Sequence, residues 1–188
     1  MASLPDLEPR PFSVAEYHRM IDAGILDEDE RVELLEGVIV TVSPQKRRHA
    51  YVIQRLNRIL ARLPEERYEI LPQLPLTLGD RSEPEPDLAV VTAAAGSSRT
   101  EHPRTALLVI EVAGESLRKD RLVKARIYAR AGIPEYWLFN LDEACLEVLR
   151  DPDAERGAYQ TRFALRRDEE VRSSAVPELV VRLADLFD

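Results

Sequence analysis

Cysteine is almost missing: Cys145 is the only one in 188 residues. An internal disulfide is excluded, and so is a zinc site built from cysteines. Aromatic residues make up 6% of the chain, with one tryptophan, which leaves little material for a base-stacking platform. No apolar run reaches the roughly 18 residues that a membrane-spanning helix needs, so the sequence offers no membrane partner. The opening MASLPDLEPRPF lacks a positively charged start and an apolar stretch, so it does not read as a signal peptide. Together these absences make a reducing cytoplasm the simplest location. Positive charge is also short. Twenty-six Lys and Arg against 34 Asp and Glu leave a net charge of −8 and a pI near 5.1. That balance counts against a broad basic face for nucleic acid, although an acidic metal site with local basic patches is compatible with it.

What is present fits one globular domain over 1–188, with 45% apolar residues. We divide it into an N-terminal helix and hairpin extension (1–44), a core (45–142) and C-terminal strands (143–188). No repeat, low-complexity tract or linker interrupts it.

Residues 84–139 organise the rest. Leu88–Val91 and Leu107–Val112 are short runs rich in Val and Ile, and read as buried strands. Each carries a carboxylate where an apolar residue is expected: Asp87 just before the first run, Glu111 inside the second. A buried charge needs a partner, and a metal ion is a common one. Thr92–Thr105 reads as a loop joining the strands into a hairpin. Antiparallel partners keep a constant sum of residue numbers, so pairing Val91 with Leu107 also pairs Asp87 with Glu111. Opposed side chains lie roughly 4.5–5.5 Å apart at Cβ. Two carboxylates that close repel, and a divalent cation relieves the repulsion.

A helix follows from about Leu117 to Ala131, capped by Ser116, with Gly132 at its end and Pro134 beyond. Asp120, Lys124 and Tyr128 are spaced four apart and share a face. Lys124 can thus approach the acids, where an ammonium stabilises charge on a phosphate or carries a proton. Asp120 is placed to pair with Lys124. The plainer alternative makes Asp87 a turn cap and Glu111 a structural partner of Lys124. Ile133–Asn140 reads as a further strand, its tryptophan serving the core.

The order Pro86-Asp87, Glu111-Val112, Asp120-x-x-x-Lys124-x-x-x-Tyr128 and then Gly132–Trp137 (GIPEYW) resembles the Uma-two family of endonucleases. That family belongs to the PD-(D/E)XK, restriction-endonuclease-like superfamily. The likeness reaches upstream to Val32–Pro44 (VELLEGVIVTVSP) and His49, so it spans nearly the whole chain. It implies an α/β fold with a mixed central sheet flanked by helices. It also implies Mg²⁺- or Mn²⁺-dependent hydrolysis of phosphodiester bonds, with DNA as the expected substrate. Asp87 and Glu111 then hold the metal, aided by a backbone carbonyl such as that of Val112, and Lys124 acts beside them. Glu33, His49, Asp120 and Tyr128 become supporting residues. A homodimer is expected, because cutting both strands of a duplex takes two sites. One departure stands out. The superfamily's Glu-x-Lys places Lys where this chain has Ala113, which leaves Lys124 as the candidate amine. Two other readings stay open: a nuclease-fold protein that binds nucleic acid or protein without turnover, and a metal hydrolase for another phosphoester.

The flanks read as follows. Residues 1–12 form an extended lead-in. Ser13–Glu16 fits a capping box for a helix to about Ala23, ended by Gly24. Glu28–Arg31 is a solvated charge run. Arg31–Leu35 and Val38–Val42 form a hairpin turning at Glu36-Gly37, and Ser43-Pro44 breaks it. From the residues alone, Glu33 and Glu36 read as solvent-facing. Gln45–Leu63 is the strongest helix, with an apolar stripe from His49 to Leu63 and a second stripe of Arg48, Arg55, Arg58 and Arg62. That stripe is either a phosphate-backbone contact or an ordinary solvated face. His49, on the apolar side, is either a hydrogen-bonded core residue or a contact to the site. Tyr68–Leu78 reads as an edge strand interrupted by prolines, with Gln73 a satisfied amide or a site residue. Glu83 and Glu85 read as solvated. Cys145–Leu149 and Tyr159–Leu165 are strands around a polar loop, Asp151–Gly157.

Overall fold

The structure, a computed structural model, describes residues 9–27, 29–42 and 46–187. The lead-in before residue 9, Glu28 of the charge run, the break at Ser43-Pro44 and the helix start at Gln45 lie outside the described residues.

The capping box forms as the sequence indicates. The Ser13 hydroxyl accepts from the Glu16 N–H at 3.2 Å, and the Glu16 carboxylate accepts from the Ser13 N–H at 3.0 Å. It starts α1 (Val14–Asp22). β1 (Val32–Leu35) and β2 (Val38–Thr41) follow as an antiparallel hairpin. Gly37 has φ +83°, a conformation glycine adopts without strain. α2 (Arg47–Leu60) buries Val52, Ile53, Leu56 and Leu60, the expected apolar stripe.

β3 (Tyr68–Pro72), β4 (Leu88–Thr92), β5 (Leu108–Ala113), β6 (Glu135–Asn140), β7 (Cys145–Asp153) and β8 (Ala158–Arg166) form one six-stranded sheet in that order. β5 and β6 are parallel and the other neighbours antiparallel. A parallel pair needs a crossover, and the helical segment between them supplies it. α2 and the C-terminal residues Val176, Leu179, Leu183 and Leu186 cover one face, over Leu88, Val90, Leu108, Ile110 and Trp137. Residues of opposite parity, including Ala89, Val91, Val109 and Ala113, pack with Ile127 and Tyr128 on the other. No helix among the described residues is long and apolar enough to cross a membrane.

Several boundaries differ from expectation. The loop after β4 contains a short helix, α3 (Ala93–Gly96), whose start is capped by the Thr92 hydroxyl. The polar stretch from Asp151 is not all loop, because β7 runs on to Asp153 against β8. The long crossover helix is not uniform: α4 (Leu117–Lys119) leads into a π-helical turn, Asp120–Lys124, and then α5 (Ala125–Arg130). Within the turn the Ala125 N–H reaches the Asp120 carbonyl, five residues back. Ser116 makes no side-chain cap. The far end follows the sequence: Gly132 has φ +70°, and the Ile133 N–H returns to the Tyr128 carbonyl at 3.1 Å. β9 (Glu170–Arg172), β10 (Val180–Arg182) and α6 (Ala184–Phe187) close the chain.

Candidate active site

Five separate segments meet at one end of β4 and β5. The ladder pairs Leu88 with Ile110 and Ala89 with Val109. One step further sets Asp87 against Glu111, the register expected from the sequence. Alternation along the strands turns both toward the face that α5 covers. The Asp87 N–H lies 3.4 Å from Glu111 Oε2. Both residues line a pocket of about 120 Å³, together with His49, Lys119, Asp120 and Lys124.

Each acid is fixed by its surroundings. Asp87 Oδ2 accepts from the Val112 N–H at 2.7 Å and lies 3.1 Å from His49 Nε2. Val112 thus contributes its amide to Asp87. The other ring nitrogen of His49 is buried and meets no partner among the described residues. Glu111 Oε1 accepts from Lys124 Nζ at 2.9 Å and from the Tyr128 hydroxyl at 2.7 Å. Asp120, Lys124 and Tyr128 are all buried, so the π turn sets Asp120 and Lys124 inward beside the tyrosine, while its Arg121 pairs with Glu147. π turns recur at functional sites.

Glu33 corrects the solvent-facing reading of the hairpin. It is fully buried. Its Oε2 lies 3.0 Å from Lys124 Nζ and its Oε1 accepts from Lys119 at 2.7 Å. Oε2 also takes the Glu85 N–H at 3.2 Å. Glu36 instead receives Arg126 and Arg130, which fasten the hairpin turn to α5. Lys124 makes its ion pairs with Glu33 and Glu111, in place of the expected pair with Asp120.

The electrostatics follow from this crowding. Burial pushes the Glu111 carboxyl well above the usual range, and Lys124 only partly offsets it. Burial raises Asp120 in the same way. Burial alone would also raise Glu33, but Lys124 and Lys119 outweigh it and hold it low. Lys124 feels burial in the opposite sense, yet Glu111, Glu33 and Asp120 hold it firmly protonated. An ammonium so held acts as a charge, not as a proton acceptor.

Other expectations resolve plainly. Gln73 is exposed just past β3, with φ +52°, and does not line the pocket. Glu83 is not solvated: it is buried and lies 2.6 Å from both the Thr77 hydroxyl and His18 Nε2. Glu85 is exposed yet lines the pocket, its carboxyl raised by partial desolvation and by the Glu33 charge. Arg48, Arg58 and Arg62 are exposed, Arg55 bonds the Tyr51 hydroxyl at 3.1 Å, and none of the four lines the pocket. The cations that do line it, besides Lys124, are Arg31, Lys46 and Lys119. Sequence reasoning passed over all three, because scattered surface cations carry no periodic signal.

The donor set suits a hard divalent cation. Among the described residues no group of three His, Cys, Asp or Glu side chains is gathered to cage a metal by itself. Magnesium does not need one: it takes one or two carboxylates and keeps several waters. No described donor reaches Asp87 Oδ1, and Glu111 Oε2 has only the 3.4 Å contact. Glu33, Asp87, Glu111 and Asp120 face the ammonium groups of Lys119 and Lys124. Burial raises Glu111 and Asp120 among these acids, and a divalent ion held there would favour their charged forms.

The mixed sheet, its parallel β5–β6 crossover and the flanking helices define a restriction-endonuclease-like α/β fold. The family model Uma2, described as "putative restriction endonuclease", matches residues 14–184, and the chain belongs to that family. A crystal structure of a "putative nuclease belonging to DUF820" from Anabaena variabilis has the same fold, with a TM-score of 0.74 at 19% identity. The match covers 94% of this chain and 98% of that one. No curated protein matches.

Proposed function

We propose that the protein is a magnesium- or manganese-dependent endonuclease that hydrolyses phosphodiester bonds in nucleic acid. The family's description as a restriction endonuclease points to DNA. The observation that carries this reading is the facing pair Asp87 and Glu111, with the Lys124 ammonium on Glu111, in one acid-rich pocket. Asp87, Glu111 and the main-chain carbonyl of Val112 would hold the ion, which supplies charge opposite the phosphoryl oxygens and an activated water. The chain's own groups do the rest. His49 and the Val112 N–H orient Asp87. Tyr128 and Lys124 orient Glu111, and Lys124 presents fixed positive charge where negative charge develops on phosphorus-bound oxygens. Glu33 steadies Lys124, and Asp120 adds negative charge behind it. Arg48 and Arg58, exposed on α2, and Arg62, exposed just past its end, would meet a phosphate backbone beyond the pocket. Two copies in a symmetric dimer would cut both strands of a duplex.

Calorimetric titration with Mg²⁺ and Mn²⁺, paired with plasmid nicking, tests this. The unmodified protein binds metal and nicks plasmid; Asp87→Ala does neither. A protein that takes up no Mn²⁺ would remove the enzyme reading. A binding module without turnover is the second reading, favoured by Ala113 at the superfamily's lysine position and by the net charge of −8. Ala113 is buried on the face that also holds Tyr128, so its small side chain leaves Lys124 to approach Glu111 from the helix. Cleavage of a generic phosphodiester in preference to plasmid would instead mark a hydrolase for another phosphoester.

A further inference from the structure

Glu33 binds two lysines through different oxygens: Lys119 on Oε1 at 2.7 Å and Lys124 on Oε2 at 3.0 Å. The two are not equivalent. The Lys124 side chain is 5% exposed and also holds Glu111. The Lys119 side chain is 28% exposed, lines the pocket, and has Glu33 as its one ion-pair partner among the described residues. Both stand on the same continuous helical segment, so the difference lies in the freedom of the side chains.

We propose that Lys119 is a substrate-binding residue: its ammonium leaves Glu33 for a backbone phosphate of the nucleic acid entering the pocket. This rests on the nuclease reading above. Three observations carry it. Release of Lys119 does not strand the buried carboxylate, because Lys124 and the Glu85 N–H remain on Glu33. The pocket is rich in acids that repel a polyanion, so a phosphate approaching Asp87 and Glu111 needs a cation beside them. The chain carries a net charge of −8, so that cation must be local. Lys46, the other lysine at the mouth, is tied to Glu115 at 2.5 Å, with both side chains 71% exposed. An exposed pair of this kind holds weakly and sits at the rim, whereas Lys119 reaches inward to the acids.

Fluorescence anisotropy of a labelled short DNA duplex tests the assignment, with Ca²⁺ replacing Mg²⁺ to hold back cleavage. Affinity is followed between about 50 and 200 mM salt. Lys119→Gln is expected to flatten the slope of log K against log salt by about 0.9, one phosphate contact, and to weaken binding about tenfold at the low-salt end. Lys119→Arg keeps the slope of the unmodified protein. A second measurement needs no variant: the duplex should protect the Lys119 amine of the unmodified protein from an acylating reagent. An unchanged slope in folded Lys119→Gln, or unchanged acylation of Lys119, overturns this role and leaves the nuclease reading standing. An unmodified protein without salt-dependent duplex binding overturns both.

Discussion

Replacing Lys124 by methionine keeps most of the side-chain volume and removes the charge at the centre of the site. Removing one partner of a buried pair costs about 3–5 kcal/mol when the other charge is left bare. Neither acid is left fully bare here. Glu33 keeps Lys119 at 2.7 Å and the Glu85 N–H at 3.2 Å. Glu111 keeps the Tyr128 hydroxyl at 2.7 Å and, with its pKa already raised by burial, can take up a proton. We therefore expect a loss at or below the bottom of that range, about 2–3 kcal/mol near pH 7. For a chain of this size that lowers Tm by roughly 5–10 °C. The sign of the pH dependence follows from Glu111. Without the ammonium its folded pKa lies still further above the unfolded value. The Glu111 share of the penalty is therefore absent while both proteins hold that carboxyl protonated, and it grows as pH rises above about 8. Thermal denaturation across pH, with and without Mn²⁺, reads this directly. On the proposed metal-dependent reading, saturating Mn²⁺ should raise the Tm of both proteins, by about 2.7 kcal/mol of added stability at one hundred times Kd. Plasmid cleavage by the variant should fall about 10²–10³-fold, as for loss of one preorganised charge. A variant with unchanged Tm across pH and unchanged cleavage would refute the reasoning.

Three further outcomes follow from the same contacts. The buried Glu135 carboxylate accepts from Trp137 Nε1, Arg150, both serine hydroxyls of Ser173-Ser174 and the amides of Ser174 and Ala175. Burial opposes ionisation, but these donors prevail and its pKa is lowered. Its stabilisation is therefore present above the unfolded pKa and lost as pH falls through the folded one. In urea titrations Glu135→Gln should cost about 3 kcal/mol at pH 7 and less at pH 3; a loss independent of pH would contradict this. Gly37→Ala should cost at least about 2 kcal/mol, because it combines a left-handed backbone with a steric clash: the new Cβ would lie 2.4 Å from Pro11 Cβ. Gly132→Ala meets no atom within 4 Å and should cost only about 1 kcal/mol, the left-handed backbone alone. Equal losses at the two glycines would show that Pro11 does not pack on the hairpin turn.

Much of the scaffold was legible in short-range pattern. The apolar runs around residues 88 and 107 are strands because Val and Ile fill a buried pleat, and alternation makes Asp87 and Glu111 share a side once the register is set. Four-residue spacing brought Asp120, Lys124 and Tyr128 to one face, and Gly132 ended their helix. What stayed hidden depended on distant segments. Glu33 looks like any acid in a short edge hairpin, and it becomes fully buried only because that hairpin docks on the segment around Glu85. Glu83 is buried for the same reason, its backbone bridging to Leu34. The π turn has no mark in the sequence, since one shifted hydrogen bond is decided by what the helix must reach. β7 overran the expected loop because a partner strand satisfies the backbone of polar residues as well as that of apolar ones.

Sequence by itself determined the strands, the strongest helix and the acidic pair, because hydrophobic period and residue spacing act within one segment. Tertiary structure decided which cations stand beside that pair and which carboxylates lose their water. Charge and burial at a point are set by every segment that converges there, and the convergence of residues 33, 49, 87, 111 and 124 belongs to no single stretch of chain.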